Sequence, residues 1–286
     1  MQKTFNSKLI KFTATDGIKL EGLLLGVSRK CCVVFVHGMG SNFYKNEIPF
    51  SISLGHEFSV FSINTRGHDI LTTCRTTNGK RRILAGTGAE VFKDCIKDIK
   101  GAVDFLESIG FKDIILSGHS TGCQKIVHYM YKKRDMRISK IILFAPADDY
   151  AVNKKHLGSG FKDFSSKLNK FKIKKDVDTP LNKYGFFTLR RMFSAYSLES
   201  EEANIFYYDG RLYEFSKLKI PILALFGNRE ENKDRNVKEY MKILKDKTSS
   251  ECFESVVIKD ARHSFNGHED ELLDSINKWL KKTVKK

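Results

Sequence analysis

Several patterns that would place a chain in a special class are missing from this sequence of 286 residues. Its first residues hold no continuous apolar stretch of the kind that secretory signals have, and its longest apolar runs are far too short to cross a bilayer. The six cysteines are irregularly spaced, so they form neither a disulfide framework nor a zinc-ligand pattern. No internal repeat and no low-complexity linker occurs. We therefore expect an ordinary globular protein, without a membrane span, in the reducing cytoplasm.

Acidic residues are scarce relative to basic ones. The chain has 34 Asp and Glu against 50 Lys and Arg, which gives a formal net charge of +16. Such a charge can indicate a nucleic-acid or membrane-surface partner. However, the short basic pieces at residues 132–137 and at the C-terminus are not interleaved with aromatic residues, as a nucleic-acid stacking surface would be. We interpret the charge as solvated surface lysines and predict no specific nucleic-acid partner; the oligomeric state stays open.

Apolar runs alternate with segments of helical periodicity, which is typical of a parallel α/β sheet flanked by helices. Buried core strands are predicted at residues 31–36, 60–64, 114–117, 140–144, 220–226 and 255–258. Two antiparallel edge strands are predicted at residues 9–15 and 18–25, joined by the turn Asp16-Gly17. Helices are predicted over residues 121–131 and 269–281. The predicted fold class is therefore α/β, with a mostly parallel central sheet.

A further helix is predicted between the second and third core strands. Thr87 and Glu90 have the spacing of a capping box, in which two side chains satisfy the first amides of a helix. Gly110 stands where a left-handed residue would end it. Apolar residues recur between them with helical periodicity, at Val91, Cys95, Ile99, Val103 and Leu106.

The alternation breaks between residues 148 and 215. This interval of 68 residues contains 8 Phe and 6 Tyr, a larger aromatic share than the 12% of the whole chain. An insertion of this length is too long for an unstructured loop in a compact domain. We predict a mainly helical cap at 148–215, inserted after the sixth strand, and a core made of residues 1–147 and 216–286. The aromatic residues either line an apolar pocket or form a small core within the cap.

The most specific motif is Gly118-His119-Ser120-Thr121-Gly122, a G-x-S-x-G between an apolar strand and a helix. A serine at such a sharp turn projects its hydroxyl above the sheet, and the glycines let neighbouring elements approach the turn. Ser120 is therefore the candidate nucleophile. The amide of Thr121 lies at the start of the helix, where it can donate a hydrogen bond to a developing oxyanion. Cys123, close to this turn, is interpreted as a packing residue.

A serine nucleophile needs a base, and the base needs a carboxylate that orients it. His263 follows the last strand and precedes the last helix, so it lies at the same edge of the sheet as Ser120; His268 is the weaker alternative. Glu230 has the best spacing for the acid, a few residues beyond the preceding strand. Four other carboxylates remain open for that role: Glu231, Asp234, Asp148 and Asp149.

Two further turns end early core strands. In His37-Gly38-Met39-Gly40, the glycines permit the backbone to turn tightly, so the amide of Met39 can be the second oxyanion donor. We interpret His37 itself as structural rather than catalytic. Arg66, in the turn after the next strand, is interpreted as part of a hydrogen-bonded structural turn, with a contact to substrate as the alternative.

Taken in order, these motifs resemble the α/β-hydrolase superfamily over nearly the whole chain. The resemblance implies Ser120 as nucleophile, His263 as general base and then acid, and Glu230 in place of the commoner aspartate. It also implies that the Met39 and Thr121 amides form the oxyanion hole, and that neither a metal nor an organic cofactor takes part. GHSTGCQ and APADD are similar to a branch that includes fungal siderophore esterases. The chain departs from the common pattern in having Gly-Asn-Arg-Glu where Gly-x-x-Asp is usual.

The expected function is that of a serine hydrolase acting on a small-molecule carboxylic ester with a small or medium acyl or aryl group, through an acyl-serine intermediate. The same residues could act on an amide, peptide or thioester, or in acyl transfer, because the cap chooses the substrate. A non-catalytic binding protein with this fold is a further alternative. Haloalkane dehalogenase chemistry is disfavoured, since it would require an aspartate at position 120.

Overall fold

The computed structural model describes residues 5–26, 31–55, 58–79, 81–171 and 186–283. Within these ranges, one sheet contains all the strands: β1 (Ser7–Thr13), β2 (Ile18–Leu25), β3 (Cys31–Val36), β4 (Ser59–Ile63), β5 (Thr72–Thr76), β6 (Arg82–Ala85), β7 (Asp113–His119), β8 (Ile138–Phe144), β9 (Ile222–Gly227) and β10 (Phe253–Ile258). The described helices are α1 (Ile48–Ser53), α2 (Cys95–Ser108), α3 (Thr121–Lys133), α4 (Asp149–Leu157), α5 (Phe161–Phe171), α6 (Leu189–Tyr196), α7 (Glu201–Ile205), α8 (Tyr213–Ser216), α9 (Val237–Lys247) and α10 (Glu269–Thr283).

The strand order is β10-β9-β8-β7-β3-β4-β2-β5-β6, with β1 paired to β2. The strands from β10 to β4 run parallel, while β1, β2, β5 and β6 pair antiparallel. The carboxyl ends of the parallel strands meet at one edge, which is where ligands bind in open α/β sheets. The predicted fold class is confirmed.

The parallel strands are apolar because both faces of the sheet are covered. In β3, Val34 faces one apolar cluster and Val33 the other. The first cluster is closed by α2, α3 and α9, and the second by α1 and α10. Every described helix is too short or too polar to span a bilayer.

Two local predictions differ from the structure. The hairpin of β5 and β6 was not predicted, because its strands carry polar, half-exposed residues; the insertion therefore follows the eighth strand, not the sixth. The prediction that Thr87 and Glu90 form a capping box is wrong, since α2 begins only at Cys95. The Thr87 hydroxyl bonds to the backbone of Gly67 and Gly40 instead, and Glu90 is buried beside a cation. Gly110 has φ +100° after the end of α2, as predicted.

The interval 148–215 is helical in its described part, while its residues 172–185 lie outside the described residues. Its early and middle helices share an apolar cluster of their own, formed by Phe161, Phe164, Leu168 and Met192 with Tyr150, Phe187 and Tyr196 at its margin. By contrast, Ile205, Phe206 and Phe215 pack into the larger cluster under the sheet. The aromatic residues thus form a small core within the interval, and its last part is packed onto the sheet domain.

Candidate active site

Ser120 lies at a strained turn between β7 and α3. Its φ of +53° and ψ of −124° fall in a region that costs a residue with a side chain about 1–3 kcal/mol. The glycines of the motif permit this turn: a Cβ at position 118 would lie 2.5 Å from the carbonyl carbon of Gly122, and one at position 122 would lie 2.2 Å from the Val36 oxygen. The Ser120 amide donates to the Phe144 carbonyl at 2.9 Å, which fixes the turn against β8.

His263 lies in the loop between β10 and α10 and is joined to Glu230. Its Nδ1 is 2.8 Å from Glu230 Oε1, and the Glu230 side chain is only 3% exposed. The same oxygen accepts from the Asn232 amide at 2.9 Å. A carboxylate only accepts, so Nδ1 carries the proton and Nε2 is left unprotonated in the neutral ring. The neighbouring Glu231 accepts from the His263 backbone amide at 3.0 Å.

The turn of Ser120 and the loop of His263 are held together through His119. The His119 Nε2–H donates to the His263 carbonyl at 2.8 Å, and the two imidazole centroids are 4.8 Å apart. Burial lowers the pKa of His119 to about 3, so His119 is neutral. Both Ser120 and His263 are described residues, and no hydrogen bond joins the Ser120 hydroxyl to the imidazole in this conformation. Such catalytic bonds often tighten only when substrate is bound.

The loop after β3 lies against the nucleophile. A Cβ on Gly38 would be 3.0 Å from the Ser120 Cβ, and Gly40 has φ +68°. The Gly40 amide donates to the Thr87 hydroxyl at 2.9 Å. Within the described part of the chain, the amides of Met39 and Thr121 have no hydrogen-bond partner. A backbone amide without a partner can donate a hydrogen bond to a developing oxyanion.

Three of the other candidate acids make different contacts. Asp234 binds the Arg235 guanidinium, and Asp148 caps α4 through the Ala151 amide. Asp149 accepts from the Gln124 side chain at 2.9 Å. Burial raises the pKa of both Asp148 and Asp149 to about 7.

The hydrogen bonds that join Glu230, His263 and His119 do not include Arg66, Cys123 or His268. Arg66 donates to Asp98 and Asp16 and is buried, so it is part of a structural turn. Burial raises the pKa of the Cys123 thiol well above its usual value, which fits a packing residue. The His268 ring lies just before α10 and is 3.9 Å from Glu271, in the first turn of that helix.

No pattern in the sequence indicates the charge cluster that is buried beside this site. It consists of Glu90, Lys125, Arg191 and Glu202, whose side chains are at most 2% exposed. Lys125 Nζ is 2.7 Å from Glu90, and Arg191 contacts Glu90 and Glu202. The sequence signal is that Lys125 directly precedes the apolar residues Ile126 and Val127. Its partners are far apart in sequence, so periodicity could not have paired them.

Comparisons with known proteins identify the family and the fold. The profile of the family described as "Protein of unknown function (DUF1749)" matches residues 83–285, more than half of the chain. No curated protein sequence matches significantly.

Three solved structures are similar over most of their length. The Pyrococcus furiosus esterase Pf2001 is 19% identical, with a TM-score of 0.61 over 97% of this chain and 91% of that one. Est1E from Butyrivibrio proteoclasticus, with ferulic acid bound, is 16% identical, with a TM-score of 0.66 over 96% and 99%. Naproxen esterase from Bacillus subtilis is 13% identical, with a TM-score of 0.59 over 96% and 92%. The chain therefore belongs to the DUF1749 family and has the α/β-hydrolase fold.

Proposed function

We propose that the protein is a serine hydrolase that cleaves carboxylic esters through an acyl-serine intermediate. The observation that carries the proposal is the buried hydrogen bond between Glu230 and His263, at the edge of the sheet where Ser120 occupies a strained turn. The two free amides of Met39 and Thr121 complete the set of groups that acyl transfer needs. The esterases with similar structures support ester hydrolysis at the level of the fold.

In the proposed mechanism, Nε2 of His263 removes the proton of Ser120 as its oxygen attacks the ester carbonyl. Glu230 keeps the imidazole in the required tautomer and stabilises the imidazolium that forms. The Met39 and Thr121 amides bind the oxyanion, a contribution of about 3–4 kcal/mol per donor in related chemistry. The imidazolium then protonates the leaving alcohol, and a water molecule activated by His263 releases the acid from Ser120.

Glu230 can take the role in which the resemblance makes an aspartate commoner, because of where it lies. It stands three residues after the last residue of β9, Gly227, and its longer side chain reaches His263 across the edge of the sheet. The Glu230 Oε2 atom is buried and has no hydrogen-bond partner among the described residues. The hydrogen bonds that this carboxylate accepts come from His263 and the Asn232 amide, and both are on Oε1.

The proposed substrate is a small-molecule ester with a small or medium acyl or aryl group. Est1E binds ferulic acid, an aryl acid, which supports an aryl or acyl ester here. We further propose that the helices within 148–215 form a cap that selects the substrate. Because the cap's aromatic residues pack against one another, the cap limits substrate size by its shape.

Hydrolysis of p-nitrophenyl esters of graded acyl length tests the proposal, with Ser120→Ala beside the wild type. We expect wild-type turnover and loss of turnover in the variant. Ser117→Ala is the matched control, because Ser117 lies on β7, the strand that leads to Ser120, but donates to the Val34 carbonyl; it should retain activity. A fluorophosphonate should label the wild type at Ser120 and leave Ser120→Ala unlabelled. A wild-type protein that neither hydrolyses nor labels would contradict the proposal.

A further inference from the structure

Helix α3 buries a lysine that the proposed mechanism does not use. Lys125 stands five residues after Ser120, and its side chain is 1% exposed. A buried ammonium is costly unless it is paired and hydrogen-bonded. Lys125 Nζ donates to Glu90 at 2.7 Å and to the Thr65 hydroxyl at 3.2 Å. Arg191 also lies 3.3 Å from Glu90 and helps to neutralise it. The bond from Lys125 to Thr65 is therefore not needed to balance the charge of Glu90.

The bond to Thr65 sets the direction of the next hydrogen bond. An ammonium only donates, so the Thr65 hydroxyl accepts from Lys125 and its own proton is free to point elsewhere. That hydroxyl lies 3.2 Å from Nε2 of His37, and the Thr65 amide donates to the same nitrogen at 3.2 Å. Nε2 of His37 is therefore an acceptor and carries no proton.

The proton of the neutral His37 ring is then on Nδ1, which donates to the Gly38 carbonyl at 2.9 Å. Burial and the nearby Lys125 cation lower the pKa of His37 to about 3, so the ring does not take a second proton near neutral pH. In a planar trans peptide, the carbonyl of one residue and the amide N–H of the next point in opposite directions. Holding the Gly38 oxygen towards His37 therefore holds the Met39 N–H away from it.

We propose that Lys125 and Thr65 are positioning residues, which support the Nδ1–H tautomer of His37 together with the Thr65 amide and thereby aim the Met39 amide at the oxyanion. The inference rests on the proposed function, since it assigns a support to one of the proposed oxyanion donors. Lys125, which supports the Met39 amide in this proposal, lies on α3, the helix that begins next to Ser120. One helix thus supplies the Thr121 amide directly and positions the Met39 amide through three side chains.

The first measurement reads the tautomer of His37 without reference to activity. In long-range ¹H–¹⁵N spectra of protein labelled at histidine, wild-type His37 should be a neutral Nδ1–H ring. Thr65→Val removes the hydroxyl but keeps the shape, and Lys125→Met removes the cation. We expect both variants to shift the signals of the His37 ring nitrogens, because the hydroxyl that shares Nε2 with the Thr65 amide is either lost or no longer oriented by Lys125. In Lys125→Met the His37 pKa should also rise, because a cation that disfavoured protonation is gone. Thr65→Ser, which retains the hydroxyl, should keep the wild-type signals.

The second measurement is kcat against KM on the best p-nitrophenyl ester. We expect kcat to fall about tenfold in Lys125→Met and Thr65→Val, a fraction of the roughly 10²–10³ lost when an oxyanion donor is removed, with KM within about twofold. Thr65→Ser should restore kcat. Arg191→Met is the matched control, because it removes a cation from the same Glu90 without touching Thr65; its His37 signals and its kcat should match the wild type.

Unchanged His37 signals in both Thr65→Val and Lys125→Met would overturn the inference. So would an equal loss of kcat in Arg191→Met, because the effect would then be general loosening of the charge cluster. If Lys125→Met does not fold, the comparison of Thr65→Val with Thr65→Ser tests the inference. Failure of the proposed function would be a different result, namely a wild type with neither turnover nor labelling. The tautomer of His37 can be read from the spectra whether or not the protein has activity.

Discussion

Two adjacent glutamates hold His263 by different atoms, and this difference allows a matched test at the scale of single residues. Glu230 accepts from the imidazole, whereas Glu231 accepts from the backbone amide. Glu230→Gln removes the charge that stabilises an imidazolium, so we expect kcat to fall by about 10³–10⁴, as when the acid of a serine triad is neutralised. Glu231→Gln keeps an oxygen acceptor for the amide and should remain within about threefold. Equal kcat values for the two variants on p-nitrophenyl esters would contradict the assignment of Glu230 as the acid.

Asp149 gives a prediction about pH. Burial raises its pKa to about 7 from a usual value of 3.8, so the folded protein favours the protonated carboxyl. The folded state therefore binds more protons than the unfolded state between about pH 4 and 7, and the contribution of Asp149 to stability is lost as the pH rises through that window. An asparagine does not titrate and can still accept from Gln124. We expect the difference in free energy of unfolding, Asp149→Asn minus wild type, to increase by about 1–2 kcal/mol between pH 4.5 and 7.5. This value is reduced for solvent access to the carboxyl. Urea unfolding at several pH values measures this; a difference that stays constant with pH would refute it.

At the scale of elements, helix α6 is joined to the sheet domain by buried charge. Arg191 donates to the Thr87 carbonyl at 2.9 Å and contacts both Glu90 and Glu202. Removing one member of a buried ionic cluster leaves another charge uncompensated, so Arg191→Met should lower the free energy of unfolding by about 3 kcal/mol. Adding Glu202→Gln should recover part of that loss. The exposed pair Lys278–Asp274 is the control, because its disruption should cost less than about 1 kcal/mol. Additive losses in the double variant would mean that Arg191 and Glu202 are not coupled.

Features that depend on residues close together in the sequence could be predicted, whereas features that depend on distant residues could not. Core strands and the turn at Ser120 depend on local apolar runs and on glycine spacing, so they could be located. The hairpin of β5 and β6 has no apolar run to reveal it. Glu90 was misassigned because capping-box spacing is a local signal, whereas its partner Lys125 is 35 residues away. Sequence spacing left five carboxylates open as the acid, and the three-dimensional contact with the His263 imidazole is what distinguishes Glu230 from the others.

At the scale of the whole molecule, the chain leaves the sheet domain and returns to it at almost the same point. The Tyr208 amide donates to Asp148 at 3.1 Å, and the Tyr208 hydroxyl donates to the Pro146 carbonyl at 2.9 Å. Apolar residues from Ile205 onward pack under the sheet, whereas the aromatic residues around Phe161 pack with one another. We therefore expect that the cap, as a separable unit, ends near residue 204, before the predicted boundary at residue 215.

Replacing residues 151–204 with a Gly-Ser linker of about eight residues tests this division, because such a linker easily joins two neighbouring ends. The shortened protein keeps Ser120, His263 and Glu230, and Glu90 keeps Lys125 as its counter-ion. We expect it to fold and to react with a fluorophosphonate at Ser120, while its preference among p-nitrophenyl esters of different acyl length flattens, since no cap then limits the acyl group. The full-length chain is the reference for both measurements. A shortened protein that does not fold would show that residues 151–204 belong to the folding unit of the sheet, and an unchanged length preference would show that the pocket is formed by the loops around the sheet.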